Sequence, residues 1–353
     1  MIRTEIKENV GVIYLDRPKQ LNSLNLEMIR GIRENLEKWE EDENIRAVLF
    51  DSKSEKGFSA GGDLKEMYYD FLTNEDCTDK DQFFVEEFGL DKYINQFKKP
   101  IISHWYGIVM GGGIGLTINS DFIIADETVV WAMPETILGF VPDVGVCKCF
   151  TKLPQALGQY VGVLGGRLGT YDVIKHGLAD ISINSSDYDK LIDKLFVLSK
   201  SYEADELVEE FRKEASGFES EAQESDVQNN IEKIEKYFSH SSMKDIYESL
   251  KANENDDFAK SSLDEIEQRS AFVTTVQFEK YFICGDMTYE DVVDMDLELM
   301  RYSIAKGSIY EGIRAKMIDK DNKPEWKYKD YDIVPMDEVK NILGIDKTYS
   351  DRK

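Results

Sequence analysis

The pattern of apolar residues changes part-way along the chain, and that change limits the fold more than any other feature. Up to about residue 195, short β-branched or aliphatic runs alternate with stretches of helical spacing. Val10 to Leu15 and Ala47 to Phe50 read as strands, and between them Met28, Ile29, Ile32, Leu36 and Trp39 recur at helical intervals. Ile101 to Trp105 reads as another strand, Gly111 to Gly113 interrupts it, and Ile114 to Asn119 can start a helix. Further strands are expected at Asp121 to Ala125 and Val129 to Ala132. Beyond residue 195 the strand pattern stops. Ser201 to Ser270 holds 20 acidic and 8 basic residues spread among Leu207, Phe211, Ile231, Ile234, Tyr237 and Phe238, as amphipathic helices with solvated acidic faces would require. At 353 residues the chain exceeds the roughly 250–300 at which single cores stop growing. The expectation is an α/β region over residues 1–195 and a helical region over 196–353.

A formal net charge of −26 excludes broad binding to nucleic acid or to anionic membranes, both of which need a positive surface. Any anionic ligand must then meet basic residues concentrated locally. No apolar run approaches the roughly 18–20 residues of a membrane span, and Met1-Ile2-Arg3-Thr4-Glu5 opens no secretory signal, so a cytoplasmic protein is expected. Cys77, Cys147, Cys149 and Cys284 lack CxxC spacing and there are only three histidines, which argues against a zinc or iron-sulfur centre. Cys147 lies near Asp143, but no histidine adjoins it, and it reads as a buried thiol rather than a nucleophile.

Two glycine clusters let backbone approach a ligand closely: Gly61-Gly62-Asp63, within Phe58 to Leu64, and Gly111-Gly112-Gly113. Each precedes a plausible helix, Asp63 to Tyr69 and Gly113 to Asn119, whose first amides lack intrahelical partners. Two such amides aimed at one carbonyl oxygen would form an oxyanion hole. Taken alone, either cluster reads first as a tight turn. A nucleotide loop fits less well: no GK[ST] follows, and Leu116 stands where a dinucleotide fingerprint needs glycine or alanine.

Pro134-Glu135-Thr136 and Pro142-Asp143-Val144-Gly145 set two carboxylates eight residues apart in an otherwise apolar stretch. Burial would raise their pKa values towards neutrality and suit them to proton transfer or attack. The competing reading is structural, with Thr136 or Asp143 capping a short helix.

Together these segments resemble the enoyl-CoA hydratase/isomerase superfamily, the crotonases. The resemblance rests on Leu15-Asp16-Arg17-Pro18-Lys19-Gln20-Leu21-Asn22-Ser23-Leu24, Phe58 to Asp63, Lys99 to Ile102, Gly107, Met110 to Gly115, Met133 to Thr136, Gly139 and Arg167-Leu168, in that order. The run from Pro134 to Gly145, with Tyr310 to Ala315, Ile318 to Asp321 and Pro324 to Trp326, is most similar to the 3-hydroxyisobutyryl-CoA hydrolase group. The resemblance implies an α/β fold, a spiral of ββα units with an α-helical C-terminal region. It implies Gly62 and Gly112 as the oxyanion hole and Glu135 and Asp143 as the acting carboxylates. It places Lys56, Ala60, Gly61, Asp63, Leu64 and Gly111 against coenzyme A, with Lys56 as a phosphate contact. No metal or separate cofactor is implied, because coenzyme A is part of the acyl-CoA substrate. The superfamily often forms trimers or dimers of trimers, so a homo-oligomer is compatible with it.

Departures from the pattern sharpen the expected reaction. Hydratases carry a second glutamate two residues after the GGG run, where this chain has Gly115. Asp143 supplies a carboxylate where many hydratases have glycine, as the hydrolase group does. Val146-Cys147-Lys148-Cys149 replaces the small residues usual there in the hydrolases, and Ser270-Ala271 replaces their Ser-Pro. The expected reaction is hydrolysis of a short branched 3-hydroxyacyl-CoA. An enoyl-CoA hydratase or isomerase using Glu135 alone, and a non-catalytic acyl-CoA binder, are the alternatives.

Overall fold

Ala47–Ser52 is buried at every position, the mark of a strand covered on both faces in a parallel sheet. In the computed structural model, which describes residues 1–73 and 80–352, it is the third strand of six. Cys77 lies outside the described residues. The strands are β1 (Ile2–Lys7), β2 (Val10–Leu15), β3 (Ala47–Ser52), β4 (Ile101–Trp105), β6 (Phe122–Asp126) and β8 (Ile181–Ile183), in that spatial order. Only β1 and β2 pair antiparallel, with Ile2 opposite Leu15; the rest are parallel. A second, two-stranded sheet joins β5 (Ile108–Met110) to β7 (Val130–Ala132).

The helices are α1 (Leu26–Glu41), α2 (Leu64–Thr73), α3 (Gln82–Asn95) and the single turn α4 (Gly112–Gly115); beyond β7 the described residues add further helices and the strand β8. Met28, Ile29, Ile32, Leu36 and Trp39 form the buried face of α1 as the spacing predicts, and the Asn25 side chain caps it by accepting from the Met28 amide at 3.1 Å. A β-carbon on Gly11 would stand 2.5 Å from the Trp39 ring, so α1 docks on β2 only because that position is glycine.

By compactness the chain forms two units. The first comprises Met1–Asp63, Glu86–Trp131 and Arg167–Gln228; the second comprises Leu64–Val85, Ala132–Gly166 and Asn229–Lys353. The core of the first unit joins Val10, Leu49, Ile102 and Ile124 of the sheet to Leu191, Leu195, Leu207 and Phe211 of the helices Tyr188–Leu198 and Ala204–Ala215. In the second unit, four helices begin at Ser242, Asp256, Ser270 and Thr288, whose side chains accept backbone N–H bonds. Ser270 thus caps Ala271–Cys284 without the proline that follows it in the hydrolase pattern. No helix among the described residues is long and apolar enough to cross a membrane.

Two expectations are corrected. The helix expected over Ile114 to Asn119 is the one-turn α4, which starts at Gly112. The Thr117 hydroxyl takes the Gly113 carbonyl at 2.9 Å and accepts from the Trp105 indole at 2.8 Å, so the chain leaves the helix instead of extending it. The helix expected from Asp63 begins at Leu64 and runs to Thr73.

Candidate active site

In the first unit the two glycine clusters lie against each other. A β-carbon on Gly61 would stand 3.3 Å from Gly111 Cα and 3.4 Å from the Gly112 amide nitrogen. Gly61 has φ +92° and Gly111 has φ +51° with ψ −130°, conformations that only glycine adopts without strain. The first cluster is fixed by paired backbone bonds, the Leu24 amide to Gly61 O and the Asp63 amide to Leu24 O, both 2.7 Å. Ser59 aligns with β5 through its amide to Ile108 O at 3.0 Å and through the Met110 amide to its own carbonyl at 2.9 Å. Among the described residues the Gly62 and Gly112 amides donate to no other group of the protein, as befits N–H groups available to a ligand.

The Arg17 to Leu24 segment braces this pair of loops. Asn22, fully buried, donates to Ser52 Oγ at 2.7 Å and Phe58 O at 2.9 Å and accepts from the Arg17 amide at 2.7 Å. Arg17 pairs with Asp63 at 2.7 Å. Asp63 therefore has a bracing job in the chain itself. Lys56 is exposed, Ala60, Gly62 and Leu64 are partly exposed, and Gly61 and Gly111 are buried. Glu87, which sequence reasoning missed, is 3% exposed on α3, and its Oε1 occupies the space 2.0 Å from where a Gly112 β-carbon would be. Its signal was the pair of acids Glu86-Glu87 in the otherwise apolar run Phe83 to Leu90.

In the second unit, Glu135 opens the 3₁₀ turn Glu135–Leu138 and is 6% exposed; Asp143 is 5% exposed. Neither Thr136 nor Asp143 caps a helix: the Thr136 hydroxyl donates to Val163 O at 2.7 Å, and the helix Cys147–Phe150 starts after Val146 without a side-chain cap. Arg269, also buried, donates to Thr136 Oγ1 at 3.1 Å and Leu164 O at 2.6 Å, which fixes the turn carrying Glu135. Gly139 closes that turn at φ +84°, where a β-carbon would stand 2.3 Å from Ser308 O.

Burial, and then the negative charge of Asp143, hold the Glu135 carboxyl well above the usual carboxylate range. Burial, then the charge of Asp296, push Asp143 up to about 7, against a smaller opposing effect of Lys280. Glu135 Oε2 is enclosed and has no hydrogen-bond partner among the described residues. Two interacting carboxyls of this kind lose their protons as a pair, in separated steps. The arrangement can therefore hold one proton near neutrality, which suits acid–base exchange. Among the described residues no group of three or more His, Cys, Asp or Glu side chains could hold a metal ion.

The sequence profile described as Enoyl-CoA hydratase/isomerase matches residues 10–343. The chain belongs to the enoyl-CoA hydratase/isomerase family. Within that family it is 34% identical over 332 residues to the 3-hydroxyisobutyryl-CoA hydrolase, mitochondrial, of Xenopus laevis, covering 93% of this chain and 85% of the relative. It is 30% identical over 338 residues to the protein of the same name from Homo sapiens, covering 96% and 86%. Among solved structures, an enoyl-CoA hydratase from Rhodobacter sphaeroides superimposes with a TM-score of 0.86 at 26% identity, covering 98% of this chain and 97% of the other. A carnitinyl-CoA dehydratase from Mycobacterium thermoresistibile gives 0.85 at 26% identity, covering 99% and 98%. The crotonase fold expected from the sequence is thus the fold of this family member, along nearly its whole length.

The raised pKa of Asp143 makes a stability prediction for this enoyl-CoA hydratase/isomerase family chain. Below about pH 4 the carboxyl is protonated folded and unfolded alike, so it has no effect. Between about 4 and 7 the unfolded form ionises while the folded one does not, and stability is lost as pH rises. Asp143→Asn is expected to unfold at higher temperature than the wild type at pH 8 and at the same temperature at pH 3. At about 1.4 kcal/mol per unit the difference reaches up to about 4 kcal/mol. Thermal melts at the two pH values check it.

Proposed function

We propose that the chain hydrolyses a short branched 3-hydroxyacyl-CoA thioester, 3-hydroxyisobutyryl-CoA, to the free acid and coenzyme A. The observation that carries this reading is the buried Glu135–Asp143 pair, set beside the absence of a side chain at Gly115. Addition of water to an alkene needs an acid and a base around the double bond, and here the second carboxyl comes from Asp143 instead of the position after the GGG run. The names of the sequence relatives support hydrolysis. The names of the solved neighbours, a hydratase and a dehydratase, favour the rival reaction.

In the proposed reaction the Gly62 and Gly112 amides stabilise the oxygen of the thioester as it gains charge. In its ionised form Glu135 takes the proton of the attacking water. Asp143, as the carboxylate, orients that water, and the proton taken up by Glu135 passes to the departing sulfur, so that acid and thiol leave. Direct attack by Glu135, which expels the thiolate and forms a mixed anhydride that water then opens, uses the same groups. Borohydride added during turnover would reduce such an anhydride to an alcohol, readable by mass spectrometry of the peptide containing Glu135. In this reading Glu87, whose Oε1 lies against Gly112, accepts a hydrogen bond from the substrate hydroxyl. Lys56 is proposed for the phosphates and Ala60 to Leu64 with Gly111 for the rest of coenzyme A. No cofactor is needed.

A panel of acyl-CoA esters tests the substrate. 3-Hydroxyisobutyryl-CoA is expected to turn over at least tenfold faster, in kcat/KM, than isobutyryl-CoA, which lacks the hydroxyl. Equal rates would remove Glu87 and the hydroxyacyl assignment. A cytoplasmic location belongs to this proposal; the relatives' names say mitochondrial, and fractionation of cells expressing the chain separates the two.

A further inference from the structure

Asp143 sits in a backbone turn that should not hold its shape unaided. Val144 has φ +50° and Gly145 φ +73°, and a β-branched residue at positive φ is a strained conformation that persists only when its surroundings impose it. The surroundings are two fully enclosed charges. Lys280, on the helix Ala271–Cys284, forms an ion pair with Asp296 on the helix Tyr289–Lys306, and both side chains are 0% exposed. Lys280 Nζ also donates to Pro142 O at 2.6 Å, just before Asp143. Asp296 Oδ2 accepts from the Gly145 amide at 2.9 Å, just after it. The Tyr289 hydroxyl donates to Val144 O at 3.0 Å between them. An ion pair with no solvent contact is weak evidence of a stabilising role, since apolar residues of the same volume often serve as well. Its position invites another explanation.

We propose that Lys280 and Asp296 are positioning residues for the reaction, gripping the strained Pro142–Gly145 turn from both ends and setting the charge that Glu135 and Asp143 face. The proposal rests on the reading that those two carboxyls act on a thioester. Asp143 faces Glu135, Asp296 and Lys280; Lys280 in turn faces Asp296, Cys147 from the helix Cys147–Phe150, and Cys284 on its own helix. Asp296 acts to raise the Asp143 pKa and Lys280 acts to lower it. A pair that only stabilised the fold would affect rate at all pH values alike. A pair that sets the carboxyls' charge has two members whose removal acts in opposite directions.

The experiment measures kcat and KM against pH for the full chain and the variants Asp296→Asn and Lys280→Met, following release of free thiol. Asp296→Asn keeps the volume and an acceptor for Gly145 but leaves Lys280 uncompensated, so the acid limb of kcat moves to lower pH by about one unit. Lys280→Met leaves Asp296 uncompensated, so the limb moves to higher pH by a similar amount, with kcat at its optimum at least tenfold down. KM stays within about twofold in both, because neither residue meets the ligand. Where Lys280→Met does not fold, Asp296→Asn carries the test, and Lys280→Arg should restore the wild-type limb. Folded variants with an unmoved limb, or with limbs moved the same way, would overturn the proposal. A wild type that frees no thiol would instead refute the functional reading. In that event the ¹³C carboxyl signal of Asp143, identified by its loss in Asp143→Asn, still reads the opposite shifts without turnover.

Discussion

Glu135→Ala is expected to lower kcat for thioester hydrolysis by about 10²- to 10⁴-fold, the usual contribution of a positioned acid or base. KM should change little, since the enclosed Glu135 carboxyl is proposed to act at the reacting centre and not on the coenzyme. Asp143→Gly should depress turnover by at least roughly tenfold. The two losses should not add, because the carboxyls interact and are proposed to act as a pair. In the wild type the acid limb should fall near neutrality, where Asp143 ionises at about 7, and not near pH 4 as for an exposed carboxylate. Stopped-flow or steady-state thiol assays at saturating substrate check all of these. Wild-type kcat in both variants would remove the carboxyls from the chemistry.

Gly61→Ala should be nearly as damaging for a different reason. At φ +92° an alanine is strained, and its methyl would stand 3.3 Å from Met110 O and Gly111 Cα and 3.4 Å from the Gly112 amide. The added carbon presses the two loops apart and moves both amides off the carbonyl oxygen they are proposed to share. Loss of one such donor usually costs about 10²- to 10³-fold in kcat. The change lies at the contact of two loops, outside the sheet core, so the circular dichroism spectrum and cooperative melting should persist. An unimpaired Gly61→Ala enzyme would mean that the amides polarise nothing.

The sequence announces its fold most clearly where burial and periodicity agree. α1 is visible because Met28, Ile29, Ile32, Leu36 and Trp39 make one buried stripe, and β3 because Ala47 to Phe50 is an unbroken apolar run; its last two residues, Asp51 and Ser52, are buried but polar and do not show. β1 left no such trace: Ile2 is only partly buried and the other five residues are exposed, since it is held by pairing with β2 and not by packing. α4 starts earlier and ends sooner than its hydropathy implies, because a side-chain hydrogen bond from Thr117 to a carbonyl cannot be read from hydropathy.

The site was legible in the same uneven way. Gly61, Gly62, Gly111 and Gly112 declare themselves as places where backbone must come close, and Glu135 and Asp143 as acids in apolar surroundings. Lys280 and Asp296 did not. Asp296 is one of five acidic residues in Tyr289–Lys306 and looks like part of a solvated face. Lys280, beside Glu279 in an otherwise uncharged helix, was the available signal, but its partner lies on a different helix and only folding brings them together. Arg269 was hidden for the same reason, as its targets Thr136 and Leu164 are more than 100 residues away in sequence.

The central claim, that the chain cleaves a thioester rather than hydrating or shifting a double bond, is tested by counting thiols. Purified protein is incubated with 3-hydroxyisobutyryl-CoA and, separately, with crotonyl-CoA, while free thiol and remaining thioester are followed together. One thiol is expected per thioester lost from 3-hydroxyisobutyryl-CoA, with Glu135→Ala abolishing the release. Turnover of crotonyl-CoA to its hydrated product with the thioester intact, and no thiol from 3-hydroxyisobutyryl-CoA, would contradict it.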